Sequence, residues 1–259
     1  MFTNSSFWRG RLKAAGIHLG ISLALAAMAA LLVFLVWYPY PYSQISGGRS
    51  LFLLIVTVDV VMGPLLTLAI FNLAKPRKEL RRDLMVIAVL QLAALAYGMW
   101  TVAIARPVHL VYEIDRFRVV HAIDVEPVLL SLAPPDLQHL PLMGPTLISV
   151  REFKSSKESF DATMAALQGV SIGARPDLWQ SYALAKPQIL ATIKPLSELK
   201  TRLAASVEDI DSALKAAGAS ARPAASVGYI PMMGRSSVWT VLLDSKTTEV
   251  IAFVPVDSF

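Results

Sequence analysis

The chain has 259 residues, 55% of them hydrophobic, and no cysteine. Its mean hydropathy of +0.54 excludes an ordinary soluble protein, and the missing cysteines exclude disulfides, thiolate nucleophiles and cysteine metal sites. The net charge of +5 does not indicate nucleic acid, because the basic residues cluster beside apolar runs, where they act as topology signals or headgroup contacts.

Residues 1–16 are basic, with Phe2, Phe7 and Trp8 interleaved, and read as an amphipathic lead-in on the cytoplasmic interface. Three apolar runs follow, at 17–38, 51–73 and 84–105. Each reaches the roughly 20 residues that cross a bilayer. The first continues into Trp37, Tyr38, Tyr40 and Tyr42, an aromatic belt and not a signal-peptide cleavage site. Arg9, Arg11 and Lys13 precede the first run, and Lys75, Arg77, Lys78, Arg81 and Arg82 separate the second from the third. The loop at 39–50 holds only Arg49. The positive-inside rule then places the N-terminus in the cytoplasm and residues 106–259 on the outer face, the periplasm of a Gram-negative cell, with 17–105 in its inner membrane.

The second run contains an acid. Asp59 near a span centre costs about 3 kcal/mol, so it needs a partner or a proton. Gly63 and Thr67 follow at steps of four and share its face. Gly63 permits close approach of another helix, and Pro64 predicts a kink. Depth counting pairs Asp59 with Tyr97 of the third run and leaves Gln91 a turn or more deeper. This face has two readings, as the core of the bundle or as the seat of a partner helix.

The outer part predicts a hairpin over 108–125 that turns at Asp115-Arg116. A proline-rich stretch at 126–145 excludes a long regular element. A strand is expected at 146–153, and a helix at 156–168 capped by Ser156. Residues 169–185 read as a loop, 194–218 as one amphipathic helix, and 238–254 as a closing hairpin. The fold class is therefore three transmembrane helices followed by an α+β domain with a small antiparallel sheet.

No motif for catalysis or metal binding emerges. His109 and His121 face each other across the first hairpin as packing residues, and Ser155 and Ser156 beside Lys154 and Lys157 read as a solvated run. Gly234 before Arg235 suggests a positive-φ turn that aims Arg235 at an acid, within the domain or on a partner.

Several strings together resemble one family. They are Trp37-Tyr38-Pro39-Tyr40-Pro41, Gly47-Gly48, Val58-Asp59-Val60-Val61-Met62-Gly63-Pro64-Leu65-Leu66-Thr67, Lys75-Pro76, Arg106-Pro107-Val108 and Asp115-Arg116-Phe117, with Asp83, Gln91 and Tyr97-Gly98. The chain resembles the type IV pilin accessory proteins of the TfpX/TfpZ type, the FimB-like fimbrial assembly proteins, over nearly its whole length. The resemblance implies an inner-membrane, chaperone-like factor for a type IV pilin, with no cofactor and no established catalytic activity. The partner would be a pilin, met through its membrane helix and its periplasmic head, with the bilayer as the second contact. Within the motif, Asp59, Gly63, Pro64, Tyr97 and Arg116 become candidate contact or bundle-core residues. Thr67 joins them by its face, Tyr42 by its exposed aromatic position and Arg235 by its turn. A membrane-anchored periplasmic sensor and an envelope-modifying enzyme stay open as alternatives.

Overall fold

The computed structural model describes residues 4–72 and 74–259. Phe2 of the lead-in, the side chain of Phe7, and Leu73 at the end of the second expected span lie outside the described residues.

Helix α1, Asn4–Leu31, runs into a widened π-helical stretch at Leu32–Trp37. A short helix α2, Tyr42–Ile45, precedes α3, Gly48–Ile70, and α4, Arg77–Ile104. Trp8–Trp37, α3 and α4 are long and apolar enough to cross a membrane. The shortest has 23 residues, about 35 Å of helix against a hydrocarbon core of about 30 Å. Helix α3 packs against both α1 and α4. Their outward side chains are apolar, as at Leu54, Met85 and Val89.

By its contacts the chain divides into two compact units. One comprises the three long helices. The other joins Ala105–Phe259 with Tyr40–Gly47, the loop between the first two long helices.

The second unit holds an eight-stranded mixed sheet, not the small antiparallel one expected. Its strands are β1 Pro107–Glu113, β2 Arg116–His121, β3 Thr146–Val150, β4 Trp179–Ser181, β5 Lys194–Pro195, β6 Val227–Met233, β7 Val238–Asp244 and β8 Val250–Val254. Their order is β4-β3-β1-β2-β6-β7-β8, with β5 paired to β6. The pairs β1–β3 and β2–β6 are parallel and the rest antiparallel. Both expected hairpins form, as β1–β2 and β7–β8. Strand β1 is buried along its whole length, as expected where both faces of a sheet are covered.

Strand β6 was not foreseen because Pro231 interrupts it. That proline falls between Gly228 and Tyr229, which pair with β5, and Met232 and Met233, which pair with β2. Its missing N–H sits where the edge of β6 changes neighbour, one of the few places a strand tolerates proline.

Three helices follow α5, Ser156–Leu167. They are α6 Lys186–Thr192, α7 Leu196–Arg202 and α8 Val207–Ala216. The single helix expected over 194–218 is thus two helices broken at Leu203–Ser206, preceded by strand β5. Its apolar positions still point inward: Leu196, Leu199, Ile210 and Leu214 pack on Tyr229, Leu242 and Val254. Residues 169–185 hold strand β4 and short 3-10 turns. The opposite sheet face packs Leu110, Tyr112, Ile230, Met232 and Val241 against Ile189 and against Tyr42 and Ile45 of the loop. Helix α5 is capped by Ser155 and not Ser156, the Ser155 hydroxyl accepting from the Glu158 N–H at 3.1 Å.

Candidate functional site

The polar side chains of the long helices converge. Asp59, Gly63 and Thr67 are all buried and form one face of α3, as the four-residue spacing dictates. That face meets α4 through Gln91, whose Nε2 donates to the Asp59 carbonyl oxygen at 3.1 Å and to Oδ1 at 3.3 Å. The amide occupies the notch left by Gly63, where a Cβ would fall 1.9 Å from Gln91 Nε2. Toward α1, His18 Nδ1 and Thr67 Oγ1 lie 2.5 Å apart. His18, Ser22, Asp59 and Gln91 border a cavity of about 150 Å³. His18, Thr67, Asp59 and Gln91, side chains of three helices, thus satisfy one another and answer the cost that polar groups would carry in a bilayer. Depth counting sets Gln91 aside as too deep, and His18 and Ser22 of α1 carry no sequence signal because single polar residues in an apolar run show no spacing.

Tyr97 is not the partner of Asp59. It is 68% exposed, with its ring 5.8 Å from that of Trp100. Helix α3 starts at Gly48, three residues before the expected span, and α4 ends at Ile104. Asp59 then lies about 16 Å from its helix end, Gln91 about 20 Å and Tyr97 about 10 Å, which favours Gln91. Gly98, next to Tyr97, carries the packed face and presses on Ile55. Pro64 is half-buried, and α3 continues through it to Ile70. A groove of about 250 Å³ between α3 and α4 is lined by Leu54, Ile55, Val58, Tyr97, Gly98 and Thr101, among others.

In the second unit, Tyr42 is a core residue and not an exposed one. Its ring stacks edge-on against Phe253 at 6.1 Å, and burial pushes its phenol above the ordinary range. Arg235 Nη2 donates to Asp124 Oδ1 at 2.6 Å, within the domain. Asp124 Oδ2 lies 3.1 Å from His121 Nδ1. Burial pushes the Asp124 carboxyl up, but the His121 hydrogen bond and the Arg235 charge outweigh it and hold the group below its ordinary value. Gly234 does not adopt positive φ; it is required instead by the close approach of Ile45. Arg116 bonds Asp115 at 2.8 Å and lies over the Phe259 ring at 5.0 Å.

The histidines of the first hairpin do not face each other. His109 pairs with Val120 and His121 with Pro107, offset by a bulge. His109 Nδ1 lies 2.7 Å from Thr146 Oγ1, and its ring meets Trp179 at 4.6 Å. Burial lowers its pKa from 6.5 to about 4. Buried Glu113 accepts from Arg118 Nε at 2.5 Å and from the Gly173 N–H at 2.6 Å. Trp179 Nε1 donates to the Gly173 carbonyl at 2.8 Å. These bonds pin the turn at Ile172–Ala174 to β1. Among the described residues no cluster of three His, Asp or Glu has the arrangement of a metal site. The Ser155 hydroxyl is committed to its helix cap.

The family model "Fimbrial assembly protein FimB" matches residues 6–47. The chain is 37% identical over 249 residues to the serogroup I fimbrial assembly protein of Dichelobacter nodosus, covering 95% of both chains. It is 36% identical over 249 residues to the serogroup E1 protein of the same organism, again covering 95% of both. With the protein of serogroups C1 and C2 it shares 45% identity over 113 residues, 44% of this chain and 86% of that one. No solved structure matches the chain significantly. Alignment through the long helices and the sheet domain alike shows that the chain belongs to the fimbrial assembly protein family.

Proposed function

We propose that this protein is an inner-membrane accessory factor, chaperone-like and without catalytic activity, that supports the stability or assembly of a type IV pilin. The single observation that carries this reading is the end-to-end relation to fimbrial assembly proteins, which spans the membrane helices and the sheet domain together. A factor of this layout meets a pilin that has one membrane helix and one head. The basic residues at Arg9–Lys13 and Lys75–Arg82 support a cytoplasmic N-terminus and a periplasmic domain.

The polar face of α3 acts in this reading as the internal lock of the bundle, since His18 and Gln91 already fill it. The pilin helix rests instead in the apolar groove between α3 and α4, against Leu54, Val58 and Tyr97. The test is removal of the protein from a piliated cell, with pilin abundance and surface pili measured. Both or either fall and return with the intact chain. Unchanged pilin and unchanged pili overturn the reading.

A further inference from the structure

Residues 137–150 carry no Asp, Glu, Lys or Arg. Within them Leu142 and Met143 are 72% and 75% exposed, although Leu137 and Leu140 beside them pack into the core with Val108 and Val125. Pro141 precedes the exposed pair, and Gly144, at φ +54, turns the chain back toward β3. The result is an apolar tip on a fixed base.

Chain connectivity says where that tip is. Arg106 holds the Pro141 carbonyl through Nε at 3.3 Å and Nη2 at 3.2 Å. The Arg106 carbonyl accepts in turn from the Ala122 N–H at 2.9 Å, which ties Arg106 to the end of the first hairpin. Arg106 is two residues beyond Ile104, the last residue of α4, a distance of at most about 7 Å along the chain. Helix α4 has 28 residues, about 42 Å of helix, close to the 40–45 Å of a bilayer with its headgroups. Its end therefore lies at headgroup depth, and Arg106 keeps Pro141 near that end.

We propose that Leu142 and Met143 form a lipid-binding wedge that enters the headgroup and upper acyl region of the bilayer crossed by α4. The charge-free stretch around them removes the main obstacle to such insertion, and an apolar pair held near a span end has lipid within reach. The wedge would restrain the sheet domain at the membrane surface by a second contact besides the covalent one. This inference rests on the reading of α4 as a transmembrane span, and not on the pilin.

The natural absence of cysteine allows single labels. The full chain is reconstituted in phosphatidylcholine vesicles without pilin, carrying an environment-sensitive fluorophore at Leu142→Cys or Met143→Cys. Val89→Cys, on the exposed face of α4 and about 20 Å from either helix end, read with lipids spin-labelled deep in the acyl chain, and Lys246→Cys, in the β7–β8 turn, serve as references. At 142 and 143 the expected result is blue-shifted emission, quenching by lipids spin-labelled near the headgroup, and iodide quenching several-fold weaker than at 246. Iodide quenching equal to that at 246, with lipid quenching still seen at 89, overturns the wedge and leaves the span intact. Loss of lipid quenching at 89 overturns both. Shielding from both quenchers shows that a second copy covers the tip, and shielding only after pilin is added shows a protein-docking surface; either result overturns the lipid assignment.

Discussion

Gly234, in the turn between β6 and β7, lies directly against Ile45 of the loop between the first two long helices. A Cβ at Gly234 would fall 2.2 Å from Ile45 Cγ1 and 2.7 Å from the Ile45 carbonyl oxygen. The same carbonyl accepts from the Ser236 N–H at 3.2 Å and the Ser236 hydroxyl at 2.9 Å. Ile45 is fully buried, and Tyr42 lies in the same core cluster as Trp239 and Phe253. The sheet domain is thus assembled from two separated stretches of chain, and Tyr40–Gly47 is part of its core.

Gly234→Val should destabilise the sheet domain by about 1–3 kcal/mol, the usual cost of overpacking. Ile45→Ala should cost about 2–5 kcal/mol through the cavity it leaves. Thermal unfolding of the full chain in detergent, followed by tryptophan fluorescence, reads both. In the double variant the two losses should not add, because Ile45→Ala removes the side-chain half of the clash. Additive losses would contradict the contact.

The bundle interior makes a separate prediction. Gln91→Leu leaves the Asp59 side chain without its amide donor and should lower bundle stability by about 1 kcal/mol, typical of an interhelical hydrogen bond in membranes. Gly63→Leu should cost more, since its side chain collides with Gln91. Asp59→Leu should reduce the abundance of this protein itself. Normal abundance with lost pili would instead assign the Asp59 face to the pilin.

The sheet domain should also weaken in acid through His109. Its folded pKa of about 4 lies below the ordinary 6.5 because the ring is buried against Trp179. Between those values the unfolded chain binds a proton that the folded chain refuses. Stability is therefore complete above about pH 6.5 and falls as pH drops toward 4, by up to about 3 kcal/mol. His109→Gln, uncharged throughout, should flatten that slope in unfolding measured from pH 7 to pH 4.5. An unchanged slope would show that other groups set it.

The three long apolar helices and the two hairpins were legible in the sequence because each is a local pattern of apolar periodicity or length. The mixed sheet was not. Its parallel pairs, such as His109 with Thr146 and Phe117 with Met232, join residues far apart along the chain with other elements between them, and no periodicity encodes that. Pro231 hid a central strand because proline's tolerance at that point depends on which neighbours β6 has. The break at Leu203–Ser206 left the apolar spacing of 194–218 nearly intact, so two helices read as one. For the candidate site, the stripe of Asp59, Gly63 and Thr67 followed from spacing alone. The choice between Gln91 and Tyr97 depended on helix ends that a hydropathy run places only to within a turn.

Photocrosslinking in living cells tests the proposed contact with pilin most directly. A photoreactive residue at Tyr97, in the exposed groove between α3 and α4, should give a covalent adduct with pilin. A second at Tyr40, 64% exposed in the loop, reports on the pilin head. An adduct at Tyr97 is the predicted result. Absence of any pilin adduct at both positions, with probe incorporated and pilin expressed, would contradict the direct-partner reading.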